Sequence, residues 1–146
     1  MSVRLRILFV CDHSSACVRF QNNLEHEGCQ LLLAANTERA ARALLSHSFL
    51  DAVLIHHDDL LRASTTASGL KLIRPSIPVL LLTASWPSSG ALPRGIDALC
   101  YAAALNRRVA HDVMRFIRRL VVEASHQLIE TGVENQFIPR GSGYLN

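Results

Sequence analysis

Apolar positions along the chain gather into five short runs, at residues 5–10, 30–35, 52–55, 78–83 and 98–102, with polar stretches between them. Each run is nearly continuous in Val, Ile, Leu and Ala, the pattern of a strand covered by helices on both faces; half-solvated hairpin strands would alternate instead. The intervening stretches carry helix signals. Ser14 and Ser15 can cap a helix with Val18 and Leu24 facing inward, and Gly28 stands where a left-handed C-terminal cap is expected. Thr37 followed by Glu38 opens a second helix, with Ala40, Ala41, Leu44 and Leu45 as its buried side. Residues 64–69, rich in Ser, Thr and Gly, read as a loop before a helix resumes at 70–74. Pro87, Gly90 and Pro93 leave room between the fourth and fifth runs only for a short or irregular helix.

The last helix carries two distinct faces. At about 100° per residue, Val109, Val113, Phe116, Ile117, Leu120 and Ala124 share one arc, the core side. Arg107, Arg108, His111, Arg115, Arg118 and Arg119 share another. Apolar periodicity continues through Leu128 and Gly132 ends it, so this helix is longer than one sheet layer needs. Residues 133–146, with Pro139, Gly141 and Gly143, read as a tail or linker.

Composition narrows the class. The 146 residues fit one compact domain, and 49% hydrophobic with 5% aromatic content places the core in aliphatic side chains. The longest apolar stretch, 98–105, falls far short of the roughly 18–20 residues a membrane span requires. Net charge is +3, made from fourteen Arg and a single Lys, Lys71. Cys11, Cys17, Cys29 and Cys100 form no C-x-x-C pair and no regular framework, which favours reduced thiols and a cytoplasmic setting. Cys17, Cys29 and Cys100 read as small core residues.

Four local patterns then fall in one order. Ile7-Leu8-Phe9-Val10-Cys11-Asp12 looks like a first strand ending in an acidic pair. Asp51-Ala52-Val53-Leu54-Ile55-His56 looks like a third strand leading to a phosphoacceptor, and Pro78-Val79-Leu80-Leu81-Leu82-Thr83-Ala84 like a fourth strand with its switch hydroxyl. Gly95-Ile96-Asp97-Ala98 looks like the entry to a fifth. Together they resemble the receiver domain of bacterial response regulators over about residues 3–124. The resemblance implies an α/β, flavodoxin-like (CheY-like) three-layer sandwich, with a five-stranded parallel sheet of order 2-1-3-4-5 and about five helices, the last extended. Residues 1–124 would be the receiver-like domain and 125–146 a helix extension with its tail or linker.

Phosphoryl transfer to a carboxylate needs an Asp nucleophile, acidic ligands for Mg²⁺, a Lys for the incoming charge and a hydroxyl for its oxygens. Against the family pattern, Cys11 holds the first acidic position and Asp12 keeps the second. His56 stands at the acceptor position, Ala102 at the Lys position, and Thr83 remains. Asp58 and Asp59 are candidates for a displaced acceptor, with the alternative that both are solvated loop carboxylates capping the next helix. The resemblance is therefore to a degenerate pseudo-receiver.

Three functional readings follow. The first is a non-enzymatic, phosphorylation-independent signalling or transcriptional-control module of a bacterial two-component system, acting through a protein partner or output domain. The resemblance implies a homodimer surface along the fourth-helix segment, fifth strand and last helix; Trp86, Tyr101, Arg107, Arg108, Arg115, Arg118, Arg119 and Val122 are its candidate residues, the alternatives being that Trp86 packs against the fourth-helix segment and that the arginines form a solvated polar face. The second is a metal-binding protein holding Zn²⁺ or another transition ion, or Mg²⁺, in the crevice of Cys11, Asp12, His13, His56, His57, Asp58 and Asp59, with Asp12, His56 and Asp58 as the ligand set. No cofactor is expected under the first reading. Nucleic-acid binding by the Arg stripe is the third; it lacks a recognition-helix motif or stacking aromatics, since Phe137 and Tyr144 are isolated. Neither a small-molecule substrate nor a membrane is expected.

Overall fold

The computed structural model describes residues 4–12, 14–130 and 144–145. His13, the helix end expected at Gly132, and the stretch 133–143 with Phe137 lie outside the described residues. The element order is β1 (Arg6–Val10), α1 (Ser15–His26), β2 (Gln30–Ala34), α2 (Thr37–Ser46), β3 (Ala52–His56), α3 (Leu60–Ile73), β4 (Val79–Thr83), β5 (Ala98–Tyr101), α4 (Arg107–Glu130) and β6 (Tyr144–Leu145). The sheet order is β2-β1-β3-β4-β5-β6, and every pairing is parallel. The first five strands thus have the flavodoxin-like order 2-1-3-4-5. The added edge strand, β6, comes from the stretch read as a tail.

Alternation along each strand divides the apolar runs between two layers. Ile7, Phe9, Leu54, Leu80, Leu82 and Cys100 face α1 and α4, where Phe20, Leu24, Val113, Met114 and Ile117 meet them. Leu8, Val53, Ile55, Leu81 and Leu99 face α2 and α3, against Ala40, Leu44, Ala63, Ala67 and Leu70. Each fully buried Leu or Phe contributes roughly 1.5–3 kcal/mol relative to exposure, which is why the runs had to be continuous. Cys17, Cys29 and Cys100 are buried, as small core residues.

Several local expectations are corrected. Four helices are found among the described residues, because residues 84–97 form turns and no helix. Residues 64–69 are not a loop: α3 runs unbroken through them. Asp59 caps it, accepting the N–H groups of Leu61 at 3.0 Å and Arg62 at 3.2 Å. The hydroxyls that suggest a loop find partners instead. Thr66 bonds Thr37 of α2 at 2.6 Å, Thr65 donates to the Leu61 carbonyl at 3.0 Å, and Ser64 donates to the Arg94 carbonyl at 2.7 Å. α2 does open at Thr37; its cap is Asn36, which takes the Arg39 N–H at 2.9 Å and leaves the Thr37 hydroxyl for α3. Val18 and Leu45 face outward, 50% and 72% exposed, since Cys17, Phe20 and Leu24 fill the α1 contact and Ala40 and Leu44 that of α2.

Candidate functional site

Parallel pairing sets Val10 beside Ile55 and His56 beside Leu82, so β1, β3 and β4 deliver Cys11, His56 and Thr83 to one carboxyl edge. Tyr101 pairs with Thr83, and the Ala102 N–H donates to the Thr83 carbonyl at 2.9 Å. These strand ends therefore meet at one edge of the sheet.

Cys11 is buried, and burial, reinforced by the neighbouring Cys17, pushes its thiol up to about 12. At neutral pH it supplies no negative charge. Burial also raises the Cys17 thiol, whose Sγ lies 3.5 Å from His56 Nδ1. His56 is pushed below its ordinary value by burial, an effect that the Asp58 and Asp12 charges only partly offset, so its neutral form is favoured at the strand's end. Asp12 is exposed and held below the usual carboxylate range, first by the Ser14 backbone N–H, which donates to Oδ1 at 3.1 Å, and then by side-chain hydrogen bonds from Ser14 and Cys17. Ser14 in turn caps α1 through the Cys17 N–H at 3.2 Å.

The two candidate displaced acceptors have separate tasks. Asp59 is the cap of α3, and its own N–H donates to His57 Nδ1 at 2.9 Å. Asp58 caps nothing. Its Oδ1 accepts the Ala84 N–H at 2.8 Å, bridging from the β3 loop to the β4 loop. Thr83 Oγ1, fully buried, accepts the Ser85 N–H at 3.0 Å.

No lysine reaches this edge. Lys71 Nζ pairs with Asp97 Oδ2 at 2.5 Å, and the same oxygen accepts the Val79 N–H at 2.8 Å, at the amino ends of β4 and β5. The sole Lys is therefore fixed at the opposite edge of the sheet. Among the described residues no three His, Cys, Asp or Glu groups are placed together as a metal-ion site. Asp12 turns to Ser14, Asp58 to Ala84, and the Cys11 and Cys17 thiols are raised by burial and remain protonated.

The surface residues divide. Trp86 and Tyr101 are 48% and 44% exposed and meet edge-to-face, ring centroids 5.9 Å apart. Arg107, Arg108, Arg115 and Arg119 are exposed on α4, and Val122 is 55% exposed beside them. Arg118 is spent within the fold, donating to the Glu27 carbonyl at 2.9 Å, and His111 meets the Glu27 carboxylate at 3.0 Å. The arginine stripe available to a partner is thus shorter than the helical wheel gives. Asp58's bridge was missed in the sequence; it joins residues 26 apart, and no local spacing marks it. Among the described residues, no helix is long and apolar enough to cross a membrane.

No protein-family model matches the sequence, and no curated protein matches it. Solved structures do match. A response regulator receiver domain protein from Clostridium thermocellum superposes with a TM-score of 0.69 at 19% identity, over 84% of this chain and 98% of that one. A CheY-like receiver domain protein from Methanospirillum hungatei JF-1 gives 0.68 at 20% identity, over 86% and 99%. A two-component response regulator from Clostridium difficile gives 0.65 at 19%, over 80% and 97%. At these identities the likeness establishes a shared fold.

Proposed function

We propose that the chain is a receiver-fold signalling module of a bacterial two-component or transcriptional-control system that acts by protein contact, without an aspartyl phosphate and without catalysis of its own. One observation carries this reading: the edge where the sheet would hold a phosphoryl group presents a neutral thiol, an imidazole favoured neutral by burial and an alanine, while Lys71 is paired with Asp97 at the far edge. A dianionic group there would lose its hydration and gain no cation in return. Asp12 is the one acidic position of the receiver pattern that remains, and a single exposed carboxylate is a poor Mg²⁺ site.

The contact surface is the exposed Trp86 and Tyr101 pair with Arg107, Arg108, Arg115, Arg119 and Val122, and its occupant is an output domain or a second copy. Aromatic rings and arginines are the side chains that anchor protein interfaces. The state of the module is then set by partner concentration. Incubation with acetyl phosphate and Mg²⁺ followed by intact-mass measurement tests this. The mass stays unchanged; a stoichiometric adduct on Asp12, Asp58 or Asp59 rejects the reading.

A further inference from the structure

Two loops lie side by side at the carboxyl edge, residues 57–59 after β3 and 84–86 after β4. Asp58 joins them twice. Its carboxylate accepts the Ala84 N–H at 2.8 Å, and its backbone carbonyl accepts the Ser85 hydroxyl at 2.6 Å. The Ser85 N–H is taken by Thr83 Oγ1 at 3.0 Å, so the first residues of the β4 loop have their donors occupied. The next residue is Trp86, whose ring stands edge-on to Tyr101 of β5.

An ionised acceptor on a backbone N–H makes a stronger bond than a neutral one, and here it acts on the residue that starts the loop. We propose that Asp58 is a built-in anionic latch: it fixes the β4 loop in one arrangement and so presents Trp86 against Tyr101 permanently, with no added anionic group. Switching by an external charge needs two loop arrangements of comparable free energy. The latch removes that balance by supplying the charge from the chain itself. The proposal rests on the reading of Trp86 and Tyr101 as a contact surface, and its test reads the loop rather than binding.

Trp86 is the only tryptophan, so fluorescence excited at the red edge of the absorption band, where tyrosine does not absorb, reports this loop alone. In full-length Asp58→Ala, acrylamide quenching of Trp86 increases, its anisotropy falls, and hydrogen exchange of the Ala84 amide speeds up about tenfold, the effect of losing one charge-assisted bond. Ser85→Ala, which removes only the hydroxyl bond, shifts Trp86 the same way by less. Asp59→Ala strips the α3 cap and leaves both readouts at their native values. If Asp58→Ala lacks the native circular dichroism spectrum, Ser85→Ala and Asp58→Asn carry the test. Native quenching and exchange in a folded Asp58 variant, or an equal change in Asp59→Ala, overturns the latch. Loosening of Trp86 without loss of self-association or partner binding supports the latch and rejects the contact surface instead.

Discussion

Gly95 joins the turn segment 84–97 to α3, and its replacement by alanine measures how firmly that segment is held. Gly95 has φ +85°, and a Cβ built there would lie 2.7 Å from the Ser68 backbone nitrogen and 3.0 Å from the Ala67 carbonyl carbon. Both are backbone atoms of a helix and cannot swing aside. The left-handed conformation costs a non-glycine residue about 1–2 kcal/mol, and forced overpacking adds about 1–3 kcal/mol. Gly95→Ala should therefore destabilise the fold by about 3 kcal/mol. Gly28→Ala is the matched control, because Gly28 has φ +97° with nothing within 4 Å of the built Cβ. It should cost only the conformational part, about 1 kcal/mol. Urea unfolding at constant m reads the difference as a midpoint drop of about 1 M between the two variants. Equal losses in both would refute the close approach of the turn segment to α3.

Three further outcomes follow from the same contacts. Asp97→Ala should cost about 2–3 kcal/mol, since it strands both Lys71 and the Val79 N–H, against about 1 kcal/mol for Lys71→Met; thermal unfolding separates the two. Burial holds His56 below the ordinary 6.5, so the unfolded chain takes up the proton first as pH falls. Stability from this residue is complete above 6.5 and declines as pH drops below it towards the folded-state value, and His56→Gln should flatten that part of the urea-midpoint profile. Arg118→Ala should cost about 1 kcal/mol by uncovering the Glu27 carbonyl at the end of α1, while Arg115→Ala leaves the melting temperature within about 1 °C.

The strands were legible because a strand buried on both faces must be apolar throughout, and residues such as Ile7 to Val10 and Val79 to Leu82 have no other way to be satisfied. The core face of α4 was legible for the same reason at helical spacing. What stayed hidden depends on partners far along the chain. Thr66 belongs to a helix because its hydroxyl pairs with that of Thr37, 29 residues earlier, and Ser64 because its hydroxyl reaches the Arg94 carbonyl, 30 residues later. Neither partner leaves a mark in the local sequence. Leu45 has the spacing of a core residue and lies exposed, since one turn of α2 offers more apolar positions than its contact needs. The site residues were named by their place at strand ends, and Cys11, His56 and Thr83 do converge there. Their chemistry was not readable from position: burial of the thiol and imidazole, the turn of Asp58 towards Ala84, and the use of Arg118 against α1 all arise from packing.

Whether this sheet edge lacks the charges for phosphoryl chemistry is decided by putting them back. Intact mass after acetyl phosphate and Mg²⁺ treatment should be compared between the native chain and a Cys11→Asp, His56→Asp, Ala102→Lys triple variant. The rebuilt variant is expected to gain one phosphoryl group and the native chain none. A phosphoryl group on the native chain, at the same extent as on the variant, would contradict the account.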